Sequence, residues 1–269
     1  MKRRGRGWLG LAGLLPLCLL AACATPVERL AARAADLGYR PLAVQGGPFR
    51  LQGFFKQGTP GGEILHVYLE GDGTPWRTRH TVASEPTSRR PVMLELMALD
   101  TAPALYLGRP CYLGAAADAG CAPQLWTERR FAPEVVESLA EGLREFLRDR
   151  PYRRLVLIGH SGGGALAVLL AARVAQTERV VTLAGNLDIA AWTALHHYSP
   201  LEGSLNPADA SPAVAEFHFF GANDANIPPA VFAPLAGKRP GAQLEVIEGV
   251  EHQLGWESVW PRLLERIGP

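Results

Sequence analysis

The fold is decided by the stretch Leu155-Val156-Leu157-Ile158-Gly159-His160-Ser161-Gly162-Gly163-Gly164-Ala165-Leu166-Ala167. Its first four residues are apolar, which is typical of a strand that is buried on both faces of a sheet. The apolar run over residues 165–174, which follows the glycines, predicts a helix packed on that strand. Between strand and helix lies the pattern Gly159-x-Ser161-x-Gly163, which fits a sharp turn that exposes the serine hydroxyl.

This turn resembles the nucleophile elbow of the α/β-hydrolase family. The turn alone leaves two other interpretations open. Gly162-x-Gly164-x-x-Ala167 also fits the phosphate-binding turn of dinucleotide-binding folds, because that turn too follows a strand and opens a helix. A glycine-rich turn can also be a plain connection between two elements. The rest of the chain has to decide between these three interpretations.

The first 22 residues are predicted to be a signal peptide. Four basic residues precede an apolar run from Trp8 to Leu20, which is too short for a stable membrane span. The run ends in Leu20-Ala21-Ala22-Cys23, which resembles the lipobox of bacterial lipoproteins. That resemblance implies a lipid such as palmitate on Cys23, and Ala24 after it implies an anchor in the outer membrane that faces the periplasm. An ordinary cleavage site, Ala22-x-Ala24, is the alternative.

The chain has four cysteines. Cys18 lies in the predicted signal peptide, and Cys23 is the predicted lipidation site. Cys111 and Cys121 therefore remain as a pair in a protein that we expect outside the cytoplasm, where a disulfide can form and persist. We predict this disulfide; two free buried thiols are the alternative.

Charge and length narrow the class of protein. Removal of residues 1–22 takes away four of the 27 basic residues and none of the 26 acidic ones, which leaves a net charge of −3. That charge argues against nucleic acid as a partner. We expect a lipidated tether at residues 23–47 and one domain at residues 48–269, with a small cap at about 187–211, where no regular pattern is present. Oligomeric state is left open.

Strands that alternate with helices predict a doubly wound, mainly parallel sheet with helices on both faces. This is the α/β-hydrolase fold that the elbow resembles. Helices are expected at residues 27–37, 92–99 and 133–147 and after residue 255, and residues 41–47 and 57–62 are expected to be loops. The predicted strands cover residues 49–55, 64–69, 104–107, 155–158, 179–183, 215–220 and 243–247.

A serine is a weak nucleophile until an imidazole accepts its proton and a carboxylate orients the imidazole. In the α/β-hydrolase family these groups follow in the order serine, acid, histidine. His252 alone among seven histidines lies on a loop directly after the last predicted strand. Asp224 follows the strand before it and is the expected acid. Asp188 is the alternative acid, and a turn-capping role is the structural alternative for either aspartate.

The same resemblance implies an oxyanion hole made of two backbone amides. One amide belongs to Gly162, and the second comes from the loop after an early strand, where Asp72 is the expected donor and Gly71 the second choice. Relatives usually carry His-Gly where this chain has Glu70-Gly71, and a plain turn is the alternative for this segment. The Asp72 carboxylate must point away from the oxyanion or be neutralised. Three arginines are candidates for that role: Arg77, Arg79 and Arg109.

Two side chains are expected to line the substrate pocket. His160 adjoins the serine, and Trp126 follows the predicted disulfide loop, which we expect to form one wall of the pocket. Ordinary core packing is the alternative for Trp126. No metal-ligand motif and no P-loop lysine occurs in the sequence, so we expect neither a metal nor another cofactor.

Elbow, acid and base in the family's order predict a serine hydrolase anchored in the bacterial cell envelope. It is expected to cleave a carboxylic ester of a small-molecule or lipid-like acyl substrate through an acyl-enzyme on Ser161. A peptidase or acyltransferase with the same triad is one alternative. A non-catalytic binding protein that keeps the fold is another, and Glu70 in the oxyanion loop is the feature that favours it.

Overall fold

The computed structural model describes residues 24–59 and 62–268. The predicted signal peptide and the predicted lipidation site Cys23 lie outside these residues. Within the described ranges, no helix has both the length and the apolar character needed to cross a membrane.

Within residues 24–59 and 62–268, eight strands form one central sheet in the order β1-β2-β6-β3-β7-β8-β9-β10. Neighbours from β6 to β10 run parallel, whereas β1 and β2 pair antiparallel at one edge. The mainly parallel sheet confirms the prediction. The strands of the described residues are β1 (Arg40–Gly46), β2 (Phe49–Lys56), β3 (Ile64–Leu69), β4 (Trp76–Thr78), β5 (Thr81–Val82), β6 (Ala104–Leu107), β7 (Arg154–His160), β8 (Thr177–Leu183), β9 (Ala215–Gly221) and β10 (Gln243–Ile247). Of these, β4 and β5 form a separate hairpin.

The helices cover both faces of the sheet. The chain steps from β3 to β6 in one direction and from β6 to β7 in the other. Because such crossovers are right-handed, the two connecting helices, α2 and α3, lie on opposite faces. The helices of the described residues are α1 (Pro26–Asp36), α2 (Val92–Ala98), α3 (Pro133–Leu147), α4 (Gly162–Ala171), α5 (Ile189–Leu195), α6 (Pro229–Ala236) and α7 (Trp256–Ile267). Consistent with this, α3 packs on α4, and α2 packs on α7.

Residues 41–47, which were expected to be a loop, lie largely in a strand. β1 pairs with β2 along its whole length, from Arg40 with Phe55 to Gly46 with Phe49. In the sequence, Pro41 and the Gly46-Gly47 pair favour a loop over a strand for this segment. β1 is an edge strand, however, and proline is tolerated there because one side of an edge strand needs no backbone donor. The loop prediction is therefore wrong for this segment.

The region expected to form a cap, residues 187–211, contains α5 and a short 3₁₀ turn at Pro207–Asp209. Asp188 caps α5, and Asn206 caps the 3₁₀ turn. Most of the segment between the two is exposed.

The predicted disulfide between Cys111 and Cys121 is confirmed. It closes a loop between β6 and a 3₁₀ turn at Pro123–Trp126. A link across so short a loop stabilises the fold mainly by restricting the unfolded chain.

The sheet brings the candidate site together. Strand β7 is buried from Leu155 to His160 and lies between β3 and β8. Parallel strands end at the same edge of a sheet, so the loops after β3, β7, β9 and β10 meet there. These four loops carry Asp72, Ser161, Asp224 and His252.

Candidate active site

Ser161 lies at the junction of β7 and α4 in a strained backbone conformation, with φ 53° and ψ −120°. A positive φ is unfavourable for a residue with a side chain and persists only where surrounding bonds impose it. Here the Ser161 amide donates to the carbonyl of Leu183 at 3.0 Å, and the Ser161 carbonyl accepts from the amides of Gly164 and Asn186, each at 3.0 Å. These bonds hold the turn in the conformation that the sequence predicts.

Gly163 allows α4 to begin against the end of β3. A Cβ at this position would overlap the backbone carbonyl oxygen of Leu69 and would lie 2.6 Å from that of Glu70. Backbone atoms cannot yield as a flexible side chain can, so position 163 requires glycine. The close approach brings the loop after β3 next to Ser161.

The structure brings Ser161, His252 and Asp224 into one chain of hydrogen bonds. His252 Nε2 lies 3.1 Å from Ser161 Oγ, and His252 Nδ1 lies 2.8 Å from Asp224 Oδ2. An ionised carboxylate only accepts hydrogen bonds, so Nδ1 carries a proton and Nε2 presents its lone pair to the serine. The imidazole can therefore act as a base toward the hydroxyl, provided that Asp224 is ionised.

Asp224 is held ionised by its hydrogen bonds. Its side chain has no exposed surface. Burial alone raises the pKa of this carboxyl, but the bond from His252 and the amides of Ile227 and Asn226, each 2.8 Å from Oδ1, outweigh burial and lower the pKa. The carboxylate is thus in the state that orients the imidazole.

Asp188, the alternative acid, has a structural role in this arrangement. Its carboxylate accepts from the amides of Ala190 and Ala191 at the start of α5, and from Asn206 Nδ2 at 3.1 Å. Within the described residues it makes no bond to His252. The geometry fits the capping interpretation for Asp188 and the acid role for Asp224.

His160 lies behind the imidazole of His252. Their ring centroids are 4.8 Å apart, and His160 Nε2 lies 2.6 Å from the carbonyl oxygen of His252. A carbonyl oxygen only accepts hydrogen bonds, so His160 Nε2 carries a proton and its N–H donates a hydrogen bond to this carbonyl. Burial, helped by the neighbouring His252, lowers the pKa of His160 to about 3. His160 is therefore a neutral side chain that fixes the backbone of the His252 loop from the cavity wall.

In the loop after β3, the Asp72 amide is better placed than the Gly71 amide to donate a hydrogen bond to an oxyanion. The Gly71 amide donates to the Glu70 carboxylate at 3.0 Å, so the second-choice donor is already engaged. The Asp72 amide has no acceptor among the described residues. Gly162 is the first residue of α4, where an amide has no partner within the helix. Asp72 and Gly162 remain the two candidate donors for an oxyanion.

The Asp72 carboxylate is neutralised by two buried arginines. Arg130 lies 2.7 Å from Oδ2, and Arg109 lies 2.9 Å from Oδ1. Burial alone raises the pKa of Asp72, but both guanidinium groups outweigh burial and lower it. Among the three arginines expected to pair with Asp72, Arg109 does so, whereas Arg77 and Arg79 form no such pair among the described residues. Arg130 was missed, because nothing near position 130 in the sequence indicates this contact.

Glu70 stands where relatives usually carry histidine, and its side chain accepts a hydrogen bond from the first turn of α2. Its carboxylate accepts from the Met93 amide at 3.0 Å and from the Tyr106 hydroxyl at 3.4 Å, in addition to the Gly71 amide. Burial raises the pKa of Glu70 to about 7, against the opposing effect of these donors. The side chain thus caps a helix and braces the oxyanion loop.

An open cavity of about 1320 Å³ lies above Ser161. One side is formed by the loop after β3 and the β4–β5 hairpin, including Trp76, and the other by α5 and residues 196–202. The wall mixes aromatic and polar groups. Most of the predicted cap that borders the cavity is exposed, including Tyr198.

The expected role of Trp126 in the pocket is not supported. Trp126 is buried and its Nε1 donates to the carbonyl of Ala83 at 3.1 Å, away from the described cavity wall. Neither Cys111 nor Cys121 lines that cavity either. Instead, the disulfide loop contacts the loop after β3, because the Tyr112 hydroxyl donates to the carbonyl of Asp72 at 3.0 Å.

Asn226 is a residue of the site that the sequence did not reveal. Its Nδ2 lies 3.0 Å from His252 Nε2, the nitrogen that faces Ser161. Its position two residues after Asp224 is the only local feature of the sequence that could have placed it near the site. Among the described residues, no three histidine, cysteine or acidic side chains are grouped as a metal site would require.

Part of the chain matches a known sequence family. Residues 112–191, less than a third of the chain, match the class 3 lipase family. No curated protein matches the sequence at a significant level.

Solved structures with a similar fold cover most of the chain. An esterase from Pyrococcus furiosus is 15% identical, with a TM-score of 0.62 over 87% of this chain and 91% of the esterase. A protein from Acinetobacter baumannii AYE described as a lipase is 14% identical, with a TM-score of 0.62 over 91% of this chain and 96% of its own. An acylaminoacyl peptidase from Pyrococcus horikoshii is 15% identical, with a TM-score of 0.61 over 83% of this chain and 39% of its own.

Proposed function

The chain has the α/β-hydrolase fold, and from this fold and the bonds at Ser161 we propose that it is a serine hydrolase that cleaves carboxylic esters through an acyl-enzyme. The hydrogen bonds that link Ser161, His252 and Asp224 carry this proposal. The match to the class 3 lipase family and the similarity to an esterase and a lipase support it. A fold alone hosts many functions, so the arrangement of the site has to carry the argument.

In the first half of the reaction, Ser161 Oγ attacks the carbonyl carbon of the ester and its proton moves to His252 Nε2. The tetrahedral intermediate collapses when the imidazolium gives that proton to the leaving alcohol oxygen, which leaves an acyl group on Ser161. Asp224 stabilises the imidazolium and keeps its ring in place. In the second half, His252 takes a proton from water, the hydroxide attacks the acyl carbon, and Ser161 recovers its proton as the acid leaves.

The negative charge of the tetrahedral intermediate needs donors that are already in position. The amides of Gly162 and Asp72 are the proposed pair, and each such donor contributes about 3–4 kcal/mol to the barrier reduction in related chemistry. Arg109 and Arg130 neutralise the Asp72 carboxylate, so its charge does not oppose the oxyanion. The arginines thereby make an aspartate tolerable at this position.

A fluorophosphonate probe tests the proposed mechanism directly. The purified protein without residues 1–22 is expected to take up one probe per chain at Ser161 and to hydrolyse p-nitrophenyl butyrate. Intact-mass and peptide mass measurements locate the label. A folded protein that neither reacts with the probe nor turns over any member of an acyl-ester panel would contradict the proposal and favour a binding protein.

Anchoring in the cell envelope is a separate proposal that rests on residues 1–23. We expect the full chain, expressed in a bacterial host, to appear in the membrane fraction with a lipid on Cys23. The C23A variant should move to the soluble fraction, whereas the C18A variant, altered within the predicted signal peptide, should stay with the membrane. Mass analysis of the mature N-terminus is the measurement, and an unmodified Cys23 in the wild type would contradict the anchor.

A further inference from the structure

Two groups face the same nitrogen of His252. Ser161 Oγ lies 3.1 Å from His252 Nε2, and Asn226 Nδ2 lies 3.0 Å from it. The N–H at Nδ1 donates a hydrogen bond to Asp224, so Nε2 carries no proton and offers a single in-plane lone pair. Asn226 therefore competes with the serine hydroxyl for the base that the proposed reaction uses.

Trp192 fixes which way the Asn226 amide points. The indole nitrogen of Trp192 lies 3.2 Å from Asn226 Oδ1, and an indole nitrogen only donates. The oxygen of the amide must therefore face Trp192, which leaves Nδ2 to face His252. The backbone of Asn226 is held as well, because its amide donates to Asp224 Oδ1 at 2.8 Å and its carbonyl accepts from His196 Nε2 at 2.8 Å.

The Asn226 contact favours one state of the imidazole. A donor at Nε2 stabilises the neutral ring. Once Nε2 has taken the serine proton, two N–H groups would face each other, so the imidazolium cannot keep this contact. If the amide rotated by half a turn, Oδ1 would accept from the imidazolium, but Nδ2 would then oppose the indole N–H of Trp192. The present orientation thus opposes proton transfer for as long as Trp192 stays in place.

Trp192 belongs to the side of the cavity that a substrate would touch. Its ring packs at 5.6 Å from His196 and at 5.2 Å from Tyr198, and all three side chains line the cavity. Tyr198 is more than half exposed. Trp192 is half-buried against the edge of the core, so a ligand in the cavity would contact its ring through the side that faces the cavity.

We propose that Asn226 is a positioning residue that keeps His252 neutral in the free enzyme, and that Trp192 sets its orientation so that a substrate that displaces Trp192 frees the base. This inference rests on the proposed serine hydrolase function. It couples the predicted cap to the imidazole through one side-chain amide.

Other ionisable groups also face His252 and remain unchanged when Asn226 is replaced. Asp224 and His160 contact it directly, and Glu251 precedes it on its own loop. Across the cavity lie Glu70 and the Asp72–Arg130 pair. His196 faces Asn226 from α5. A change in titration that appears when Asn226 or the Trp192 donor is replaced, and that the control variant lacks, therefore reports the amide contact.

The test is the pH dependence of kcat/KM for p-nitrophenyl butyrate, together with ¹⁵N NMR titration of the His252 imidazole, which needs no substrate. In N226A the midpoint of both titrations should rise by about 0.5–1 pH unit, the size expected when one hydrogen bond to the neutral ring is lost. In N226D, which keeps the shape, a carboxylate faces the imidazolium, so the rise should exceed 1 unit. W192F should give a smaller rise, because the amide becomes free to rotate.

Leu195 supplies the matched control, because it is an exposed residue of α5 without a bond to Asn226. L195A should titrate as the wild type does. Midpoints that stay at the wild-type pH in both N226A and N226D, even with lower activity, would overturn the inference and leave Asn226 as a structural residue. A wild type that neither labels nor turns over esters would instead overturn the proposed function, and the NMR titration would still decide whether the contact holds the imidazole neutral.

Discussion

Replacing Ser161 with alanine is expected to lower kcat for ester hydrolysis by about 10⁴- to 10⁶-fold, the range seen when a triad nucleophile is removed. Ser161 Oγ is the atom that bonds to the acyl carbon in the acyl-enzyme, so the proposed reaction cannot proceed without it. Residual catalysis should persist, because the oxyanion donors and the cavity remain. Stopped assays with p-nitrophenyl butyrate at high enzyme concentration measure a loss of this size.

The fold should tolerate S161A. The bonds that hold the elbow are made by the backbone of Ser161, to Leu183, Gly164 and Asn186, and alanine retains all of them. S211A, at an exposed serine outside the cavity, is the matched control and should keep wild-type activity. Undiminished turnover in a folded S161A variant would show that a different residue, or a water molecule, is the nucleophile.

The fold was predictable from the sequence because its signals are local. Strand β7 contains a run of four apolar residues, 155–158, and the glycines around Ser161 mark a turn that the structure contains. Asp224 and His252 were assigned from the order serine, acid, histidine that the resemblance to the α/β-hydrolase family implies. The parallel strands place the loops that carry them and Ser161 on one edge of the sheet. The fold class is confirmed by the sheet order and by the similar solved structures.

The support of the oxyanion loop could not be predicted, because it depends on contacts between distant segments. Asp72 meets Arg130 across 58 positions, and Glu70 meets the start of α2 across 23. Sequence spacing carries no information about such pairs. Trp126 was misplaced for the same reason, since only the packed structure determines whether a tryptophan faces the core or a cavity.

Asn226 was missed for a different reason. The chain places it two residues after Asp224, where a turn commonly carries asparagine for local backbone bonds. Its side-chain contact depends on Trp192, 34 residues earlier, in a region with no regular pattern. Both the donor that orients the amide and the base that the amide faces come from elements that meet only in the folded chain.

Replacing Asp224 with asparagine is expected to lower kcat/KM by about 10⁴-fold, because the substitution reverses the tautomer of His252. Oδ1 of Asp224 accepts from two backbone amides, those of Asn226 and Ile227. In the variant the amide oxygen must keep that place, so the new NH₂ group occupies the position of Oδ2 and faces His252 Nδ1. The imidazole then accepts at Nδ1, carries its proton on Nε2 and cannot take the proton of Ser161.

Asp188→Asn provides the decisive comparison. A single oxygen of Asp188 accepts from Ala190, Ala191 and Asn206, and asparagine supplies the same oxygen at a helix cap. D188N should therefore keep kcat/KM within about threefold of the wild type, since the change leaves the cap in place. The ¹⁵N shifts of His252 should change tautomer in D224N and stay as in the wild type in D188N. If activity were lost in D188N and retained in D224N, Asp188 would be the acid, and the capping role inferred from its bonds would be wrong.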